Sequence, residues 1–336
     1  MTRPRAVFAM NPRLTGALFD ADALDRLRRA TDIDTALVVA EPDSQRSREA
    51  LAGAEILIAG WEAPVVRAGR LPRLRAVIYA GGVAATCLED PAGLAARGVV
   101  AANARAANSG PVAEYTLAMI LLATKRVILT ERAYRASRKA PDHFAPQPDH
   151  GNYRQTVGIV GASTVGRAVL GLLRPFDLDV LLYDPTLTPE QAGELGARPV
   201  PLDELMAVSR VISLHQPLTP QTHHQIDARR LASMRDGATL INTARGAVVD
   251  QDALIAELRT GRIDAVLDVT DPEPPEPGSE LWTLDNVVLT PHLAGSLGGE
   301  LRRVGDAVTD EVERFVSGRP FAHPEDLAAS ARTRVR

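Results

Sequence analysis

The chain has 336 residues, 45% of them apolar, and a formal net charge of −4. That length allows two domains with sizeable cores, and the charge leaves no basic excess for nucleic acid and no polybasic segment for a membrane surface. One cysteine, Cys87, excludes a disulfide within the chain, and no stretch approaches the ~18 uninterrupted apolar residues of a membrane span, so a cytoplasmic protein is expected.

Short apolar runs alternate with helical patterns from the N-terminus onward. Strands are expected at Ala6–Met10, Ala36–Val39, Ile56–Ala59, Ala76–Tyr79 and Val99–Ala101, with helices such as Ala21–Ala30 and Pro91–Arg97 between them. Val112–Arg135 reads as one long helix, apolar on more than one face, and the Lys139–Arg154 stretch as a polar, Pro-rich loop. A second run of strands follows at Thr156–Val160, Asp179–Tyr183, Val211–Leu214, Thr239–Asn242, Ala265–Asp268 and Asn286–Leu289. Leu301–Ser317 reads as a helix, and from Pro324 the tail shows no core pattern and is expected to be loose. This order predicts an α/β class with two Rossmann/flavodoxin-like parallel-sheet domains. The long helices bracketing the second run predict that a cofactor domain, 109–298, is inserted into a substrate domain formed by 1–108 and 299–330.

The first strand of the second run leads into Gly161-Ala-Ser163-Thr164-Val165-Gly166, where a helix starts, and the next strand closes on Asp184. This is the order of a dinucleotide-binding βαβ unit, whose turn offers backbone N–H groups to a pyrophosphate at a helix N-terminus. The middle glycine of G-x-G-x-x-G is replaced by Ser163, the smallest residue that keeps a hydrogen-bonding group. Asp184, 18 residues past Gly166, can accept both ribose hydroxyl protons and would repel a 2′-phosphate, so the expected cofactor is NAD rather than NADP.

Three later strands each run at once into titratable or charged residues: Asn242-Thr243-Ala244-Arg245, Asp268 with Glu273 close behind it, and Thr290-Pro-His292-Leu-Ala-Gly295. Open α/β sheets bind ligands at such strand ends, so Arg245, Glu273 and His292 could converge beside a nicotinamide. With Asn103-Ala-Arg-Ala-Ala-Asn108 and Ser213-Leu-His215-Gln-Pro217, these segments resemble the D-isomer-specific 2-hydroxyacid dehydrogenase family over nearly the whole chain.

The resemblance implies a catalytic trio: His292 as general acid and base, Glu273 holding the imidazole, and Arg245 as a planar fork for carboxylate and carbonyl oxygens. Asp268 resembles the family's contact to the nicotinamide carboxamide, His215 and Pro217 its adenine-ribose wall, and Thr243 and Ala244 its strip beneath the nicotinamide. Thr222 and Gly295 complete the implied cofactor contacts. Thr164 stands where the family usually has Arg or Lys. Glu273, where formate chemistry would suit Gln, predicts proton transfer.

On the substrate side, the turn after Tyr79 carries Gly81 and Gly82, whose N–H groups can form a nest for the acid's carboxylate, and Trp61 is a candidate wall. The family usually reads Gly-Val-Asp there. This chain reads Gly82-Val83-Ala84, so the acidic anchor of the loop is missing. His143, His150, His223 and His224 lack metal-ligand spacing, and no metal is expected. The resemblance also implies a homodimer built on the Val112–Arg135 helix and the loop after it. The split of the motifs between the two expected domains predicts a cleft that closes between them about hinges near Asn108 and Gly298. Two other readings stay open: an NAD-sensing interaction protein, as in corepressors that share this fold, and an oxidoreductase of a small inorganic acid.

Overall fold

A computed structural model describes residues 3–139 and 150–332. His143 and most of the expected polar loop therefore lie outside the described residues. Thirteen strands are present among those residues: β1 Arg5–Ala9, β2 Asp32–Val38, β3 Ile56–Gly60, β4 Ala76–Ala80, β5 Val100–Asn103, β6 Thr156–Val160, β7 Asp179–Tyr183, β8 Arg198–Pro199, β9 Val211–Leu214, β10 Thr239–Asn242, β11 Asp264–Leu267, β12 Val287–Leu289 and β13 Pro324–Glu325. The chain separates into two units, Met1–Asn108 with Ser296–Arg336, and Ser109–Gly295.

In the first unit β3 and β4 are buried at every position. Such unbroken apolar runs belong at the centre of a parallel sheet covered on both faces. Alternate side chains feed two cores. Val7, Leu57 and Val77 enter one, and Phe8, Ile58 and Ile78 the other, as the two-residue period of a strand requires. The sheet order β13-β5-β4-β3-β1-β2 is the flavodoxin-like order with one added edge. All pairings are parallel except the antiparallel one of β13 with β5. The helix Leu301–Val316 lays Val304, Val308 and Val312 on the second core, one helical stripe at four-residue spacing.

The second unit is a seven-stranded parallel sheet, order β12-β11-β10-β9-β6-β7-β8. Its strand order reverses between β6 and β9, the point where doubly wound sheets open a ligand crevice. The α/β class with two parallel sheets thus stands as expected.

Three expectations about elements need correction. The single helix Val112–Arg135 is two helices, Arg105–Thr124 and Val127–Ser137, separated by Arg126 in a left-handed conformation (φ 53°). Thr124 returns its hydroxyl to the carbonyls of Ile120 and Leu121, and Arg126 is drawn to Asp264 at 3.4 Å. The apolar periodicity continues through the break, so pattern alone could not reveal it. The strand expected at Ala36–Val39 begins earlier, at Asp32, because an edge strand with one solvated face tolerates Asp32 and Asp34. The tail from Pro324 is not loose as far as Arg332: β13 pairs with β5, and Leu327 is 2% exposed in the first core. Among the described residues, no helix is long and apolar enough to cross a membrane.

Candidate active site

The turn after β6 is shaped by close approach. Gly161 has φ +94°, its N–H donates to Tyr183 O at 2.8 Å, and a Cβ there would stand 2.7 Å from the backbone nitrogen of Gln216. A Cβ on Gly166 would overlap Gly161 O, so the helix Thr164–Leu173 can meet the strand only with glycine at both points. Ser163 is that helix's N-cap: its Oγ accepts the Gly166 N–H at 3.3 Å. The replaced glycine has thus become a cap, a role readable from a serine that precedes an apolar helical run. Thr164 and Val165 form the first turn behind it.

Asp184 closes β7 against this turn. Its Oδ2 accepts the Ala162 N–H at 2.7 Å, and its Oδ1 accepts the Thr186 N–H and hydroxyl at 2.9 and 2.6 Å. Burial opposes the charged form, but the Thr186 hydroxyl, the Ala162 and Thr186 amides and the nearby Arg167 outweigh it, so the carboxyl ionises below its ordinary range. Thr186 was overlooked in the sequence, although Asp-x-Thr is a readable turn motif.

At the end of β9, His215 is 4% exposed and its Nε2 lies 2.9 Å from Ser213 Oγ. Burial pushes its pKa down to about 3, so the ring is neutral. Among the described residues, its Nδ1 and the Gln216 Oε1 find no hydrogen-bond partner, two buried polar atoms left open beside the turn. Pro217 begins a loop that Thr222 ties back, its hydroxyl donating to Pro217 O at 2.6 Å and accepting the Thr219 N–H at 2.7 Å.

The trio follows three neighbouring strands, β10, β11 and β12. Asn242 orders the first loop, donating to Arg245 O at 2.9 Å and accepting the Ala244 N–H at 3.0 Å, and it leaves the Arg245 side chain exposed. A Cβ at Gly246 would overlap the carbonyl of Thr270, so this loop packs directly on the loop that carries Glu273. Asp268, 2% exposed, braces the third loop: Oδ1 accepts from the Thr290 hydroxyl (2.6 Å) and Leu293 N (2.8 Å), and Oδ2 from Ala294 N (3.0 Å). Gly295 follows directly. His292 has φ +50°, a conformation that residues with a Cβ seldom adopt, and its N–H donates to the carbonyls of Asp268 and Thr290, both at 3.0 Å. Its Nδ1 lies 2.7 Å from Glu273 Oε1, which leaves Nε2 as the nitrogen not committed to Glu273. The helix Arg105–Thr124 supplies two residues not foreseen in the sequence. Thr116 stands 3.2 Å from the Thr243 hydroxyl, and the Tyr115 hydroxyl 3.0 Å from that of Thr290. Polar side chains in an apolar helix were the available signal.

In the first unit, Gly81, Gly82 and Trp61 lie at the carboxyl ends of β4 and β3. A Cβ at Gly81 would come 2.6 Å from the Tyr79 ring and 3.4 Å from Trp61 Nε1, so turn and indole are neighbours. Part of the expected nest is already used, because the Gly81 N–H donates to Tyr79 O at 2.8 Å. Further along the loop the amides of Ala84 and Ala85 donate to Glu325, and the Gly82 carbonyl accepts from Arg105. Among the described residues there is no group of three His, Cys, Asp or Glu that could hold a metal ion.

Comparison with known proteins matches residues 117–294 to the family described as D-isomer specific 2-hydroxyacid dehydrogenase, NAD binding domain. The chain is 33% identical to the D-3-phosphoglycerate dehydrogenase of Archaeoglobus fulgidus over 69% of its own length and 44% of that protein's, so it spans less than half of that relative. It is 35% identical to the glyoxylate reductase of Korarchaeum cryptofilum over 66% of this chain and 68% of that one. Among solved structures, D-lactate dehydrogenase from Aquifex aeolicus complexed with NAD and lactic acid superposes with a TM-score of 0.70 at 28% identity, covering 93% of this chain and 96% of that chain.

Proposed function

The chain belongs to the D-isomer-specific 2-hydroxyacid dehydrogenase family, and on that premise we propose that it is an NAD-dependent oxidoreductase interconverting a small 2-hydroxy acid and its 2-oxo acid. The observation that carries the reading is the 2.7 Å contact between His292 Nδ1 and Glu273 Oε1. A ring held at Nδ1 by a carboxylate keeps Nε2 directed and available for proton exchange. The second unit fits the dinucleotide. It has a glycine-restricted turn at a helix N-terminus, a carboxylate closing β7, and the open His215 Nδ1 and Gln216 Oε1 at the strand-order reversal.

Bound NAD(H) supplies or accepts the hydride. The chain's own residues do the rest. In reduction, His292 donates a proton from Nε2 to the carbonyl oxygen that becomes the hydroxyl, and in oxidation it takes that proton back. Glu273 fixes the ring and stabilises its charged form. Arg245 binds the substrate carboxylate and polarises the carbonyl with its planar, permanently charged fork. In the first unit, the Gly81–Gly82 turn and Trp61 are the candidate contacts to the acid, and in the second Asp184 selects NAD(H) over NADP(H) by repelling a 2′-phosphate.

Initial rates with a panel of small 2-oxo acids and NADH test the proposal. At least one acid should be reduced, with a higher kcat/KM for NADH than for NADPH. Tight NADH binding with no acid reduced would instead favour a cofactor sensor. We also propose a homodimer, supported by the helix Val127–Ser137, which buries none of its residues and leaves Val127 and Tyr134 exposed. Light scattering should then give twice the 36.0 kDa chain mass, and a monomer at micromolar concentration would exclude it.

A further inference from the structure

The 82–85 loop lacks the acidic residue that its family pattern would place at 84, and Ala84 is fully buried. Yet a carboxylate is there. Glu325 Oε2 accepts the Ala84 N–H at 2.9 Å and the Asn103 Nδ2–H at 2.8 Å, and Oε1 accepts the Ala85 N–H at 3.2 Å. It comes from the far end of the chain, 241 positions away from Ala84. We propose that Glu325 is the positioning residue of this loop, a carboxylate delivered by the C-terminal strand that sets the loop's shape and, through it, the affinity for the 2-oxo acid. This rests on the reading above that the loop holds the acid.

Several observations make the delivery specific. The register of β13 on β5 pairs Pro324 with Ala102 and Glu325 with Ala101, and His323 O accepts the Asn103 N–H at 3.2 Å. Leu327, 2% exposed, pins the segment into the first core. The side chain of Glu325 therefore leaves a fixed point of the sheet edge. At the other end of the loop, Arg105 closes its fork on Gly82 O, with Nε at 3.1 Å and Nη2 at 2.7 Å. A cation on one carbonyl and an anion on two consecutive amides thus hold the Gly82–Val83 peptide between them. Hydrogen bonds to charged groups are the stronger kind, and two adjacent amides need two acceptor oxygens. A glutamine at 325 would turn one acceptor into a donor facing an N–H.

The test compares wild type with Glu325→Gln and Glu325→Ala in the full chain, by two readouts. In hydrogen exchange without substrate, amides of 82–88 should exchange at least about tenfold faster in both variants, while the second unit is unchanged. In steady-state kinetics with an acid that wild type reduces, KM for the acid should rise about tenfold, with kcat and the NADH Kd within about twofold of wild type. Unchanged exchange in this loop overturns the anchor. Faster exchange with unchanged KM overturns the positioning role and leaves a plain structural cap. Absence of any wild-type turnover would sink the enzymatic reading, while the exchange measurement still decides whether Glu325 shapes the loop.

Discussion

His292 illustrates what a residue's position in a sequence conveys and what it hides. A histidine directly behind an apolar strand and Thr-Pro, with Glu273 behind the neighbouring strand, was readable as a candidate site residue, and the structure brings the two into contact. Its left-handed backbone was not, because φ +50° is imposed by two carbonyls and by a loop that Asp268 braces from another strand. The same holds for His215, whose neutrality comes only from burial. That burial has a consequence for stability. The unfolded chain binds a proton at this residue near pH 6.5, whereas the folded ring takes one only near pH 3. Unfolding is therefore favoured progressively as pH falls from about 6.5 toward about 3, by up to roughly 1.4 kcal/mol per pH unit from this residue alone. Urea unfolding across that window should show a shallower pH dependence for His215→Gln than for wild type. Equal slopes would mean that the ring is not held neutral.

At the scale of the element, the glycine-restricted turn after β6 was legible in outline and its details were not. Spacing marked Gly161, Gly166 and Asp184, since each serves a steric or charge role tied to one residue type. Ser163 stood out as a departure, and its structural role is that of a helix cap. Ser163→Ala should cost about 1 kcal/mol of unfolding free energy, and Ser163→Gly only a few tenths, as N-caps generally do. Denaturant titration of the two variants measures this. Equal losses would mean that the Ser163 hydroxyl is not capping. The helix break at Arg126 shows the opposite limit. Nothing in the run from Val112 to Arg135 interrupts the apolar pattern, and the turn is held by Thr124 back-bonding and by Asp264 of β11, a partner 138 positions away.

Across the whole molecule, the α/β class and two parallel sheets follow from alternating apolar strands and helices, a signal repeated often enough to survive errors at single elements. The C-terminal tail was illegible for the complementary reason. Its contribution is one buried leucine, a two-residue strand and a single carboxylate, all meaningful only against residues from the first third of the chain. The proposed catalytic trio draws on three strands of one sheet, so its assembly depends on the sheet being formed. In the proposed chemistry His292, oriented by Glu273, carries the proton while the rest of the second unit binds the cofactor. The measurement that tests it most directly sets wild type beside His292→Ala, with steady-state NADH oxidation by a reducible 2-oxo acid and equilibrium NADH binding on the same preparations. The variant is predicted to bind NADH with nearly unchanged Kd and to lose about 10²–10⁴-fold in kcat; a variant that retains near-wild-type kcat would contradict the account.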